Sequence, residues 1–383
     1  MPPNIKEGPI TEMRNIYKAL SVLCLGVAFV NMAIGQNEIC LKKAAPYKAG
    51  KYSFFACTGD FNGDGKPDVA VVNYNADNVT VLLNKGDGTF DQGTSYPCGH
   101  YPTSVKAADV NNDGKQDLIV TNTGNETIAI FIGNGDGTFK DHKDIPGGAF
   151  PCYVAVADFN HDKNIDFAIS NDSSNVVTIF MGKGDGTFTQ AGAYDVGQYP
   201  SPISISDFNG DGQDDIAVIN TGSNSITVLF GKGDGSFTKS ADYSVGSYPN
   251  SIAAVDFNGD KKTDIAVVNS ASGNVSMLIN KGDGTFSKPI NFTAGGGPIS
   301  IVAVDQNKDG AADFAVCNAG TNNISIFLND GKGSFPNPTN FPTGISPICI
   351  LADDLNKDGI PDYITVNNNE NGTISVFIGC ASK

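Results

Sequence analysis

Three aspartates and an asparagine recur in the order Asp-x-Asn-x-Asp-x-x-x-Asp seven times along the chain, each copy starting 49 residues after the last. The copies are Asp60, Asn62, Asp64 and Asp68; Asp109, Asn111, Asp113 and Asp117; Asp158, Asn160, Asp162 and Asp166; Asp207, Asn209, Asp211 and Asp215; Asp256, Asn258, Asp260 and Asp264; Asp305, Asn307, Asp309 and Asp313; and Asp354, Asn356, Asp358 and Asp362. Side-chain oxygens at loop positions 1, 3, 5 and 9, with a backbone carbonyl available at position 7, suit calcium, which takes roughly six to eight oxygens in flexible geometry; magnesium prefers a stricter octahedron and retained water. Such clusters are also ordinary turn formers. Turn chemistry alone does not demand Asp at positions 1, 5 and 9 every time, however, and three carboxylates in a short loop repel one another without a cation. Up to seven calcium ions in a mainly structural role are therefore expected.

Gly65, Gly114, Gly212, Gly310 and Gly359 stand at position 6, where a sharp turn favours glycine; Lys163 and Lys261 replace it in the third and fifth copies, and those two sites are expected to be weaker. Position 12 holds Val71 in the first copy instead of the bidentate Glu of an EF-hand, so no helix pair is implied. What must position these loops is a set of short strands. Alternating runs such as Tyr153–Ala157 precede each acidic string, apolar β-branched runs such as Asp264–Val268 follow it, and a third run such as Ile226–Phe230 leads into a Gly-Asp-Gly turn ending in Phe90, Phe139, Phe188, Phe237 or Phe286. The sixth turn is altered to Asp330–Phe335. A fourth run leads away from the Phe toward a glycine.

Four antiparallel strands per copy, covered on both faces in the second and third, make either a ring of blades or a linear stack. The chain ends decide for the ring. The seventh copy lacks its fourth strand, and residues 41–50 carry that strand's register, with Tyr47 and Gly50 each 49 residues before Tyr96 and Gly99. An all-β, seven-bladed β-propeller over residues 36–383, closed by an amino-terminal strand, is expected. Closure brings Cys380 near Cys40 across the turn joining the third and fourth strands, within reach of a disulfide. Cys57, Cys98, Cys152, Cys317 and Cys349 are left without an assigned partner, most of them as buried apolar residues.

The formal charge is −16, Arg14 is the sole arginine, and a nucleic-acid partner needs a basic surface, so nucleic acid is excluded as a main partner. Only three histidines, His100, His142 and His161, are present, too scattered for a zinc site. Arg14 and Lys18 precede an apolar stretch ending in small residues at Ala33–Gly35, which reads as a secretory signal over residues 1–35, with residues 1–12 a misassigned upstream start if Met13 is the first residue. The stretch falls short of the roughly 20 residues needed to span a bilayer, so secretion is expected over a membrane anchor at the cell surface.

In these repeats the chain resembles the FG-GAP or VCBS family, calcium-bearing propeller blades found in the integrin alpha headpiece and in secreted lectin-like proteins. The resemblance covers all seven copies. It implies calcium in the hairpin between the first two strands of each blade. The Phe-Gly element itself diverges, being Phe230-Gly231 in one copy but Leu83-Asn84 in another.

Calcium loops and Gly-Asp-Gly turns should share one face. The other face carries Tyr52, Tyr101, Phe150, Tyr199 and Tyr248, four of them followed by proline, and one asparagine per copy from Asn73 to Asn367. Aromatic rings beside amides suit a sugar or an extended peptide; equally, the asparagines suit turn capping. A monomeric extracellular recognition or adhesion module for a glycan or protein is the leading expectation, and a non-enzymatic one. Propeller hydrolases and lyases are the alternative, with His100 and His142 the main candidate departures from the repeat.

Overall fold

The computed structural model describes residues 39–380, so the expected signal segment lies outside the described residues. Among them the secondary structure is strand and turn, and no helix is long and apolar enough to cross a membrane. The second blade shows the pattern: strands Pro102–Ala108, Asp117–Asn122, Thr127–Phe131 and Lys143–Pro146 pair in chain order, each antiparallel to the next. Seven such sheets follow one another, and the first strand of each contacts the first strands of its neighbours, the seventh (Pro347–Asp353) returning to the first (Ser53–Gly59). The expected propeller is present.

Burial follows sequence strand by strand. Every second strand is buried along its whole length, as in Asp68–Asn73 and Asp264–Asn269, whereas fourth strands such as Thr94–Pro97 are largely exposed. β-Branched residues fill the second and third strands because sheets stacked face to face bury both sides. The core is accordingly divided into seven apolar clusters, one at each seam between blades. Between the second and third blades, for example, Ile119, Ile128 and Ile130 pack on Val154, Phe167 and Ile169.

Ring closure is built as the register predicts. Cys40–Lys43 and then Tyr47–Lys48 pair with the last strand, Thr373–Cys380, supplying the missing fourth strand. One detail differs: Cys40 and Cys380 are directly opposed partners in the ladder, with Cα atoms 5.1 Å apart, and are disulfide-bonded there, not across a turn. The remaining described cysteines are free; Cys57, Cys317 and Cys349 are buried, and Cys98 and Cys152 are partly exposed.

Candidate metal centres and the opposite face

Position 9 is the anchor of each acidic loop. The Asp68 carboxylate is fully buried, and its two oxygens accept hydrogen bonds from Phe61 N (2.9 Å) and Asn84 N (2.8 Å). The pair recurs in every copy: Asp117 accepts from Val110 and Gly133, Asp166 from Phe159 and Gly182, Asp215 from Phe208 and Gly231. Asp264, Asp313 and Asp362 repeat it with Phe257 and Asn280, Gln306 and Asn329, and Leu355 and Gly379. One carboxylate thus ties the acidic loop to the strand that enters the Gly-Asp-Gly turn. Burial raises Asp68 to about 6 although both amides oppose the shift, and the nearby Asp64 and Asp60 add repulsion; all seven position-9 residues behave alike.

Positions 1, 3 and 5 shape the loop through their own backbone. Asp60 accepts from Gly63 N, Asp64 N and Gly65 N, Asn62 Oδ1 from Asp64 N, and Asp64 Oδ1 from Lys66 N. The turn requires a left-handed residue at position 6, and Lys163 (φ 70°) and Lys261 (φ 67°) adopt it like the glycines, donating to Asp158 and Asp256. The two lysine copies keep the loop's hydrogen bonds at the cost of backbone strain.

The donor chemistry fits calcium. All four side chains offer oxygen, each carboxylate keeps acceptor capacity beyond its amide bonds, and three mutually repelling carboxylates lack a full counter-charge. Lys66 Nζ lies 3.1 Å from Asp64, with Lys115 and Lys262 further from Asp113 and Asp260; position 7 is uncharged in the other four copies. Among the described residues no three or more His, Cys, Asp or Glu side chains are gathered as a ready-made metal site.

Neighbouring loops also touch, which sequence spacing could not show. Asn112 donates to Asn164 of the next blade (2.9 Å), and His161 Nε2 lies 2.7 Å from Gln213 Oε1, in each case linking position 4 to position 7 of the following loop. The Gly-Asp-Gly turns share this face, as expected: Gly137, Gly186 and Gly235 donate to the position-2 carbonyls of the preceding blade's loop, and Phe139 packs edge-on against Phe61.

On the opposite face the asparagines resolve as structural. Asn73 to Asn367 are all fully buried at the ends of the second strands, and Asn73 donates to Asn78 and Thr80 while accepting from Ser53. A side chain at Gly50, Gly99, Gly197 or Gly246 would collide with the asparagine beside it, which explains that recurrent glycine.

The aromatic positions behave differently. Tyr52, Tyr101, Phe150, Tyr199 and Tyr248 all adopt left-handed φ between 54° and 59°, just before a register shift that recurs at the start of every first strand. Gly297 and Ser346 hold the same place in the last two blades. Their carbonyls accept from the residue after each buried asparagine, as Thr123 N and Thr221 N do to Tyr101 and Tyr199. The Tyr101 and Tyr199 rings cover Gly124 and Gly222 and remain 47% and 44% exposed, while Tyr52, Phe150 and Tyr248 are partly buried. The histidines sit apart: His100 Nδ1 is 2.7 Å from Asp77, and His142 lies 3.5 Å from Asp144.

The family described as FG-GAP-like repeat matches residues 60–120, 109–169, 207–267, 256–316 and 307–365. No curated protein matches. Among solved structures, one similar chain is an Agrocybe aegerita lectin that recognises non-reducing terminal N-acetylglucosamine (22% identity, TM-score 0.55, covering 77% of this chain and 80% of that one). Another is virginiamycin B lyase from Staphylococcus aureus (14% identity, TM-score 0.59, 89% and 99%). At these identities the likeness is one of fold.

Proposed function

Because the chain belongs to the FG-GAP-like repeat family, we propose that it is a secreted, calcium-stabilised recognition propeller that binds a glycan or an extracellular protein with the face opposite its acidic loops. The observation that carries the reading is the left-handed backbone at five aromatic residues. A bulky side chain there costs of the order of 1 kcal/mol or more, glycine would avoid the cost, and the sixth blade does carry Gly297. Half-exposed rings such as Tyr101 and Tyr199 present a flat apolar surface of the kind that covers a sugar face. The lectin's N-acetylglucosamine makes terminal N-acetylglucosamine the first sugar to try here.

Calcium would be held by the Asp, Asn, Asp and Asp side chains of the seven loops, neutralising carboxylates on one face. It would leave the other face free for the ligand. The Cys40–Cys380 disulfide fits an oxidising compartment outside the cell. The reading is of a monomeric binder and not an enzyme, supported by histidines engaged in separate surface contacts with Asp77, Asp144 and Gln213. Residues 36–383, loaded with calcium, should bind a member of a glycan panel, and a folded Tyr101→Ala, Tyr199→Ala variant should lose that binding. Binding unchanged in the variant would remove the aromatic face from the reading.

A further inference from the structure

A cavity of ≈ 230 Å³ lies on the propeller axis, walled by the first strands of all seven blades. Its lining spans the second to the fifth residues of these seven-residue strands, so it lies between the aromatic face and the acidic loops. The wall is not seven-fold symmetric. On the side of the first three blades it holds Phe55, Lys106 and Tyr153; on the side of the last blades it holds Ile299, Ile301, Ile350 and Leu351.

Lys106 is the departure that matters. The equivalent residues of the other blades are Cys57, Ala155, Ser204, Ala253, Val302 and Leu351, so no structural rule of the repeat calls for a cation there. Its Nζ sits 5.7 Å from the Phe55 ring centroid and 5.5 Å from that of Tyr153, and Tyr153 raises the ammonium's pKa against the lowering effect of burial. None of the ion pairs among the described residues involves it, in a chain with 41 acidic residues against 25 basic ones. Lys106 is partly buried in the cavity wall, and a partly desolvated ammonium without an opposite charge is favoured by an anion that shares the site.

We propose that the axial cavity binds a small organic monocarboxylate with an aliphatic body, its carboxylate on Lys106 Nζ and its tail against the isoleucine and leucine wall. A single ammonium matches a single negative charge, whereas a phosphate dianion would call for a second cation that the wall lacks. The volume lies below the roughly 300–1,000 Å³ of drug-sized sites, which limits the ligand to a short chain. This site is separate from the rim of exposed tyrosines.

The test is isothermal titration of the calcium-loaded chain with sodium hexanoate, with hexan-1-ol and hexylamine as probes of matched tail. Hexanoate should bind one per chain, the alcohol about tenfold or more weaker, and the amine not at all. Lys106→Met should weaken hexanoate about tenfold or more, while Lys106→Arg keeps most of the affinity. Ser201→Phe, which fills the cavity and leaves the cation in place, should abolish binding, so a Met variant that fails to fold does not decide the matter. The Tyr101→Ala, Tyr199→Ala variant should bind hexanoate unchanged, which separates this site from the glycan face. No hexanoate binding to the wild type, equal binding of acid and alcohol, or full affinity in a folded Lys106→Met or Ser201→Phe variant overturns the proposal.

Discussion

The two faces of the ring make the same demand on the backbone and answer it with different residues. On the acidic face each loop turns through a left-handed residue at position 6, and five of the seven are glycine. On the opposite face each blade turns through a left-handed residue before its first strand, and five of the seven are aromatic. Where only the turn matters, the sequence takes the residue with no Cβ. Where it accepts the strain of a ring, glycine would have served the turn at lower cost, as Gly297 does in the sixth blade. The proposed function takes this difference as its ground: architecture on the acidic face and contact with a ligand on the aromatic one.

The largest effect that could break this contrast is metal removal. If the acidic face is architectural, chelation with EDTA should lower the thermal midpoint by about 10 °C or more, since every filled site adds binding free energy to the folded state, and calcium should restore it. A melt indifferent to EDTA would strip the seven loops of that role. Next comes Asp215→Ala, expected to destabilise by roughly 3–5 kcal/mol in denaturant melts with calcium present, because the buried amides of Phe208 and Gly231 lose their acceptor.

Asp172, beside buried Asn171 on the aromatic face, tests the comparison through pH. Burial raises its carboxyl to about 7, so the folded state holds a proton that the unfolded chain has already released above about pH 4. Its contribution is fully present below about pH 4 and is lost as pH rises toward 7. Asp172→Asn should therefore gain roughly 2–4 kcal/mol over wild type at pH 8 and little at pH 4, as read by urea melts at the two pH values. The smallest effects sharpen the contrast most. Gly212→Ala should cost about 1 kcal/mol, whereas Tyr199→Gly should leave stability within about 1 kcal/mol while removing glycan binding.

The blade count, strand order and ring closure were legible because they are local facts repeated: a 49-residue period, alternation within each run, and a missing strand found at the other end. The acidic string was equally plain, since its residues lie within nine positions. What escaped the sequence depends on contacts between copies. The bridge from His161 to Gln213 joins residues 52 apart, and the buried pair of Gln306 and Tyr363, where a phenol donates to an amide at a seam, joins residues 57 apart. Lys106 is the sole cation at its place in the repeat, but that it faces an axial cavity follows only from the meeting of seven first strands. The asparagines had two readings, capping or contact, and only burial separated them. The disulfide pair was identified, but its register across the ladder was set by the pairing of the closing strand, which spacing alone placed in a turn.

The position of that disulfide has a mechanical consequence. Cys40 and Cys380 join the closing strand to the last strand at the outer edge of the last blade. A pull applied to the two termini runs through one sulfur–sulfur bond and bypasses the blades, so the seven seams carry no load while the bond is intact. Reduction transfers the same force to the pairing of Cys40–Lys43 with Thr373–Cys380, which would then peel from the edge inward one residue pair at a time.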